Sequence, residues 1–148
     1  MNGVNSFVRH VVYMSRKEKF SAGHRLCSKH LTEEENLKWF GKCYNPNGHG
    51  HNYTVVVTLK GKLDPVTGMI INFNELSACM KKAIVEPLDH KNLNVEVEFF
   101  KDRTTTTENV AVYVWQEMKK VMTDPSMLHE VRVKSTDKNT AIYRGESC

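Results

Sequence analysis

Two histidines flank one glycine in the stretch Gly48-His49-Gly50-His51-Asn52-Tyr53, and a third, His24, ends Phe20-Ser21-Ala22-Gly23-His24. Three imidazoles without a thiolate are a catalytic style of zinc site, because one coordination position stays open to water or substrate. Neutral rings also leave the ion its full charge, so it remains a strong Lewis acid. In an extended strand, residues i and i+2 project from one face with their backbones about 7 Å apart. His49 and His51 can therefore converge on one ion about 2 Å from each nitrogen, and His24 must come from a neighbouring strand. The pair alone is a weak motif, which equally describes two half-exposed histidines on a strand. Cys43, six residues before His49, has three readings: a fourth ligand that closes the site, a thiolate base beside the ion, or a small buried hydrophobe.

Acid–base candidates follow further along. In Leu88-Asp89-His90-Lys91-Asn92, Asp89 could orient His90 as a proton carrier. Adjacent side chains seldom bond each other well, which favours a turn with local backbone bonds instead. Thr105 and Glu108 fit a capping box opening a helix. The same stretch, Thr106, Thr107 and Glu108, could grip a planar polar ring, a carboxylate being the natural partner of a guanidine-like edge with two parallel donors. Trp39 and Trp115 read as core or interface residues on helices.

The elements that must position these groups are legible by period. Residues 8–14 and 17–24 read as two strands, and Thr32 to Phe40 as a short helix with a Thr32–Glu35 capping box. Tyr53 to Leu59 is the strongest strand, dense in β-branched residues. Asp64 to Gly68 is a turn, and Met69 to Ile71 re-enters a strand. Asn72 caps a helix with Phe73, Leu76, Met80, Ala83 and Ile84 on one face, terminated with the help of Pro87. A second helix runs from about Thr106 to Met122. Two strands, Leu128 to Val133 and Ala141 to Arg144, close the chain. Strands grouped apart from helices predict an α+β domain, with two helices on one face of a four-stranded antiparallel sheet. Its two open edges invite oligomerisation.

The 148 residues suit one domain, 1–148. The net charge of +4 comes without a like-charge run or a basic stripe, so nucleic acid is not an expected partner; a small anionic substrate fits equally well. No apolar stretch approaches a membrane span. The segment Met1 to Tyr13 does not read as a signal peptide. Cys27, Cys43, Cys79 and Cys148 contain no Cys-x-x-Cys pair, which implies free thiols in a reducing, cytoplasmic compartment.

Taken in order, several segments resemble the 6-pyruvoyltetrahydropterin synthase family over about residues 16 to 146. They are Phe20-Ser21-Ala22-Gly23-His24-Arg25, Phe40-Gly41-Lys42-Cys43, and Asn45-Pro46-Asn47-Gly48-His49-Gly50-His51-Asn52-Tyr53. Further matches are Asp64 to Met69, Pro87 to Leu93, and Thr106 to Tyr113. The resemblance implies a tunnelling fold whose subunits join strands into a barrel-like trimer, two trimers stacking into a homohexamer. It implies conversion of 7,8-dihydroneopterin triphosphate to 6-pyruvoyltetrahydropterin with loss of triphosphate, a step of tetrahydrobiopterin synthesis. One zinc per subunit would be held by His24, His49 and His51, with magnesium commonly required. Cys43 would be the general base, Asp89 and His90 a relay reaching it across a subunit boundary, and Thr106, Thr107 and Glu108 would help hold the pterin.

One position departs from the family. Ser135, in Val133-Lys134-Ser135-Thr136-Asp137, stands where the family usually has a pterin-contacting glutamate, and serine cannot offer two acceptors. Two other readings stay in view: 6-carboxytetrahydropterin synthase, which uses the same substrate, and a zinc-bearing pterin-binding protein with reduced activity.

Overall fold

The computed structural model describes residues 8–148; the reading of the chain's first seven residues lies outside them. A 14-residue strand, β1 (Val11–His24), pairs antiparallel with a 14-residue β2 (His49–Lys62) along its whole length. The two short strands expected before His24 are thus one. Arg16 and Lys17 lack β-branching but keep the alternation of exposed and covered residues, and the β2 ladder carries the strand through them. β4 (Leu128–Thr136) pairs with β2, and β5 (Asn139–Tyr143) returns on β4.

The sheet has five strands in the order β3-β1-β2-β4-β5. The extra strand is β3 (Lys91–Asn92), parallel to β1 at Ala22 and Gly23. The expected four-stranded antiparallel sheet is therefore corrected to a mixed one. Two residues carry no periodic signal, so β3 exists through tertiary pairing alone.

α1 (Glu33–Phe40) opens with the expected box: Thr32 accepts from the Glu35 N–H, and Glu35 accepts from the Thr32 N–H. Met69 to Ile71 form a bend and not a strand. The Met69 carbonyl meets only the Asp64 N–H, closing the turn, while Ile70 and Ile71 pack on the core.

α2 (Phe73–Met80) continues through a π turn at Lys81–Val85 into α3 (Glu86–Leu88). Pro87 sits inside the last turn, one residue before the helix ends at Leu88. The wider turn precedes the one residue that has no N–H to donate. After α4 (Leu93–Glu96), the long helix α5 (Thr107–Val121) crosses the sheet.

The core lies between these helices and one sheet face. Tyr53, Val55, Val57 and Leu59 from β2 meet Leu76, Met80 and Ile84, and Val110, Val114 and Met118 from α5. Full burial of each aliphatic side chain contributes roughly 1.5–3 kcal/mol. Trp115 packs half-buried on Tyr143, whereas Trp39 is 74% exposed and so is not a core residue. No described helix is long and apolar enough to cross a membrane, and the four cysteines are free thiols.

Candidate metal centre

His24 and His49 are cross-strand partners at the end of the β1–β2 ladder, and His51 follows on the same face as Tyr53. The approach into β2 is tight. Gly48 has φ +70, and a Cβ there would lie 2.9 Å from the His24 carbonyl oxygen. Only glycine meets both conditions without strain. The loop therefore presses His49 against His24.

The three imidazoles turn one nitrogen each to a common point. Nε2 of His24 lies 3.1 Å from Nε2 of His49, which lies 3.0 Å from Nε2 of His51. Ligands about 2.0–2.1 Å from a tetrahedral ion are about 3.3 Å apart, so the spacing is close to that of a coordination shell. The ring planes cross at 62°, 70° and 87°, as in a tripod. The three ligand nitrogens lie within 4.8 Å of one another, and these histidines are the only such group among the described residues.

The outer nitrogen of His24 fixes its tautomer. Nδ1–H donates to the Thr105 carbonyl at 2.8 Å, which leaves the Nε2 lone pair facing the cluster. One proton between rings cannot satisfy three lone pairs, whereas one cation can. Burial pushes the His24 imidazole down to about 4. Burial and then the charge of His49 push His51 down as well. The donor set therefore fits zinc, with an open fourth position.

A buried polar frame holds His24. Asn94 accepts the Arg25 N–H at 2.8 Å and donates to the Arg25 carbonyl at 2.9 Å, so it serves both sides of one peptide as a strand would. The Thr105 hydroxyl donates to the same carbonyl at 3.2 Å. Arg25 donates from Nε to the Tyr44 carbonyl at 2.7 Å and stacks on that ring. Neither Thr105 nor Asn94 was marked by periodicity as part of a site. The only sequence signal is polar residues that prove to be buried or half-buried.

Cys43 lies in the 3₁₀ turn Gly41–Tyr44, whose Cys43 carbonyl accepts the Leu26 N–H at 2.9 Å. That places the turn beside the residues following His24. Cys43 is half-buried and is not part of the histidine cluster.

Asp89 and His90 do bond each other, against the objection from adjacency. Nδ1 of His90 meets Oδ2 of Asp89 at 2.7 Å. His90 adopts φ 61, which swings its ring back over Asp89. Both residues are tied to β1: Asp89 accepts the Ser21 N–H at 2.9 Å, and the His90 N–H donates to the Ser21 carbonyl at 2.6 Å. The Ser21 N–H and then the His90 side chain hold the Asp89 carboxyl below its ordinary range. Among the described residues, no hydrogen bond joins this pair to Cys43.

The start of α5 differs from the expected box. Thr106 is the N-cap and accepts from the Asn109 N–H, while Thr105 is turned inward onto His24. Capping thus moves one residue because Thr105 is committed to the buried frame. Thr107 donates to the Ser135 hydroxyl at 3.0 Å. Glu108 sits in the first turn, exposed and without a side-chain hydrogen bond to the described residues.

Residues 13–146 match the family model described as 6-pyruvoyl tetrahydropterin synthase. The chain is 56% identical over 133 residues to human 6-pyruvoyl tetrahydrobiopterin synthase, covering 90% of this chain and 91% of the human one. It is 47% identical over 135 residues to the Drosophila melanogaster protein of the same name, covering 91% and 80%. The solved Caenorhabditis elegans 6-pyruvoyl tetrahydropterin synthase superposes with a TM-score of 0.91 at 44% identity, covering 93% of this chain and 98% of that one. Matched over nearly its full length, the chain belongs to the 6-pyruvoyl tetrahydropterin synthase family.

Proposed function

We propose that the protein is a zinc-dependent carbon–oxygen lyase that converts 7,8-dihydroneopterin triphosphate to 6-pyruvoyltetrahydropterin, releasing triphosphate. The observation that carries this reading is the tripod of Nε2 atoms, aimed inward and held by the Thr105 carbonyl. Bound there, zinc would polarise the hydroxyl oxygens of the substrate side chain and acidify the adjacent carbon.

The chain's own residues then handle protons. Cys43, in the turn bonded to the segment after His24 and outside the ligand set, is the base that takes a side-chain proton. The Asp89–His90 pair is its partner. The ionised Asp89 holds Nδ1–H of His90, so Nε2 is left as the acceptor. His90 is 84% exposed, which leaves it open to a second subunit, and the relay operates across that boundary. β1 beyond its short pairing with β3, and β5 on its outer side, are free edges that join copies into trimers and a hexamer. Thr106, Thr107 and Glu108 hold the pterin, with Glu108 accepting the two parallel donors of its guanidine-like edge. Ser135 does not supply a second carboxylate and instead steadies Thr107.

The test is metal analysis of the purified protein coupled to product identification after incubation with the substrate. One zinc per chain, free triphosphate and 6-pyruvoyltetrahydropterin are expected. A 6-carboxytetrahydropterin product assigns the protein to the queuosine-precursor reaction. Pterin binding with zinc present and no triphosphate release makes it a binding protein.

A further inference from the structure

The sheet face turned away from the helices gathers cations that are scattered in sequence. Strand register places Lys17 beside Val56 and Val56 beside Arg132; in the next row, Lys19 lies beside Thr54 and Thr54 beside Lys134. Two neighbouring rows thus carry four cations on β1 and β4, with the short Thr54 and Val56 side chains between them. Rows are about 7 Å apart along the strands, and β1 and β4 about 9.5 Å apart across β2. Lys17, Arg132 and Lys134 line a concavity of about 470 Å³ on this face.

Little negative charge answers them. Among the described residues, Glu130 is the only carboxylate lining the concavity. It is buried and taken by the Nε groups of both Arg132 and Arg144. Asp89, at the far rim beside Lys19, is engaged with Ser21 and His90. Lys17 and Lys134 have no ion-pair partner among the described residues. A concave face with excess charge of one sign focuses its field on a counter-ion.

We propose that this face is a second anion site that takes a linear polyphosphate, its occupant being inorganic triphosphate. The identity of the occupant rests on the proposed reaction, which releases that group; the charge and register do not depend on it. A compact monoanion would engage one lysine, whereas an extended polyanion spans both rows. The site is distinct from the metal centre. His24 is five residues beyond Lys19, about 17 Å along the strand, and its ring is on the helix-covered face. Triphosphate held here is kept away from the metal that it would otherwise chelate.

Equilibrium dialysis of inorganic triphosphate against the zinc-loaded chain and the chelator-stripped chain tests the proposal. Binding should be equal in both. Lys17→Glu with Lys134→Glu should weaken it at least tenfold, and Lys38→Glu, on α1, should leave it unchanged. The gentler Lys17→Ala with Lys134→Ala, checked for an unaltered melting transition, should still weaken it severalfold. Affinity should fall steeply as salt rises. Unchanged affinity in both double variants, or binding that disappears with the metal, overturns the proposal, as does displacement of triphosphate by a lower concentration of duplex DNA. Turnover of dihydroneopterin triphosphate is measured alongside. Its absence in the wild type sinks the proposed reaction, while dialysis still reports on the sheet face.

Discussion

Replacing Gly48 with alanine should push His24 and His49 apart. Two costs combine. At φ +70 a non-glycine residue loses about 1–2 kcal/mol. The added Cβ also meets the His24 carbonyl oxygen at 2.9 Å, where a carbon–oxygen contact normally needs about 3.3–3.6 Å. Because that oxygen belongs to the backbone, the strand end must move by roughly 0.4–0.7 Å. Zinc sites tolerate about 0.2 Å, so affinity should drop 10–100-fold, the range seen when ligand orientation is lost. Gly68→Ala separates the two costs, since Gly68 has φ +69 with nothing within 4 Å of a Cβ. It should lower the melting temperature by about 2–4 °C per kcal/mol and leave metal binding intact. Competition with a chromophoric chelator measures the affinity, and thermal unfolding of the metal-free forms measures the strain. If Gly48→Ala keeps wild-type affinity and melts like Gly68→Ala, the close approach has no bearing on the centre.

Four further outcomes are expected. Asn94→Ala removes both bonds to the Arg25 peptide and should weaken metal binding about 10–100-fold in the same competition; unchanged affinity shows that the strand ladder alone holds His24. Cys43→Ala should retain metal and fold while nearly abolishing turnover; loss of metal would make the thiol a ligand. Glu130→Gln should cost about 1.5–3 kcal/mol at neutral pH, read by urea unfolding. Arg132 and then Arg144 hold the Glu130 carboxyl below its ordinary range, so its stabilising contribution is full above the unfolded value of about 4.3 and falls as pH drops below it. The variant should lack that part of the acid limb, and an identical acid limb contradicts the pairing. Ser135→Glu restores a carboxylate beside Thr107 and should lower the apparent Michaelis constant for the substrate; no change shows that Glu108 suffices.

The His49–His51 pairing was legible because a strand's period of two fixes which side chains share a face, although the pair alone remained a weak motif and His24 had to come from another strand. What periodicity cannot supply is a partner in another element. Thr105 looked like a helix cap because nothing local reveals that its carbonyl meets His24. The Asp89–His90 bond was discounted because it depends on a positive φ at His90, a conformation that a non-glycine residue seldom declares in sequence. β3 escaped for a related reason, since two residues pair with β1 only because α3 delivers them there. The cationic sheet face was equally hidden: Lys17, Arg132 and Lys134 share a cavity through strand register, and no run of charge marks them. The long helices and the β4–β5 hairpin, by contrast, declare themselves locally.

Beyond the two residues that β3 covers, the sheet ends in β1 on one side and β5 on the other, and in the proposed ring these unlike edges would let a copy extend its neighbour in one sense only. A chain with a ruined β5 could still dock by β1 and would then offer nothing to the next. In a mixture with intact chains, such a copy would act as a stopper, and the loss of closed rings would exceed its share of the population. Co-expression of intact and β5-deficient chains should therefore lower activity by more than the deficient fraction if the proposed ring forms.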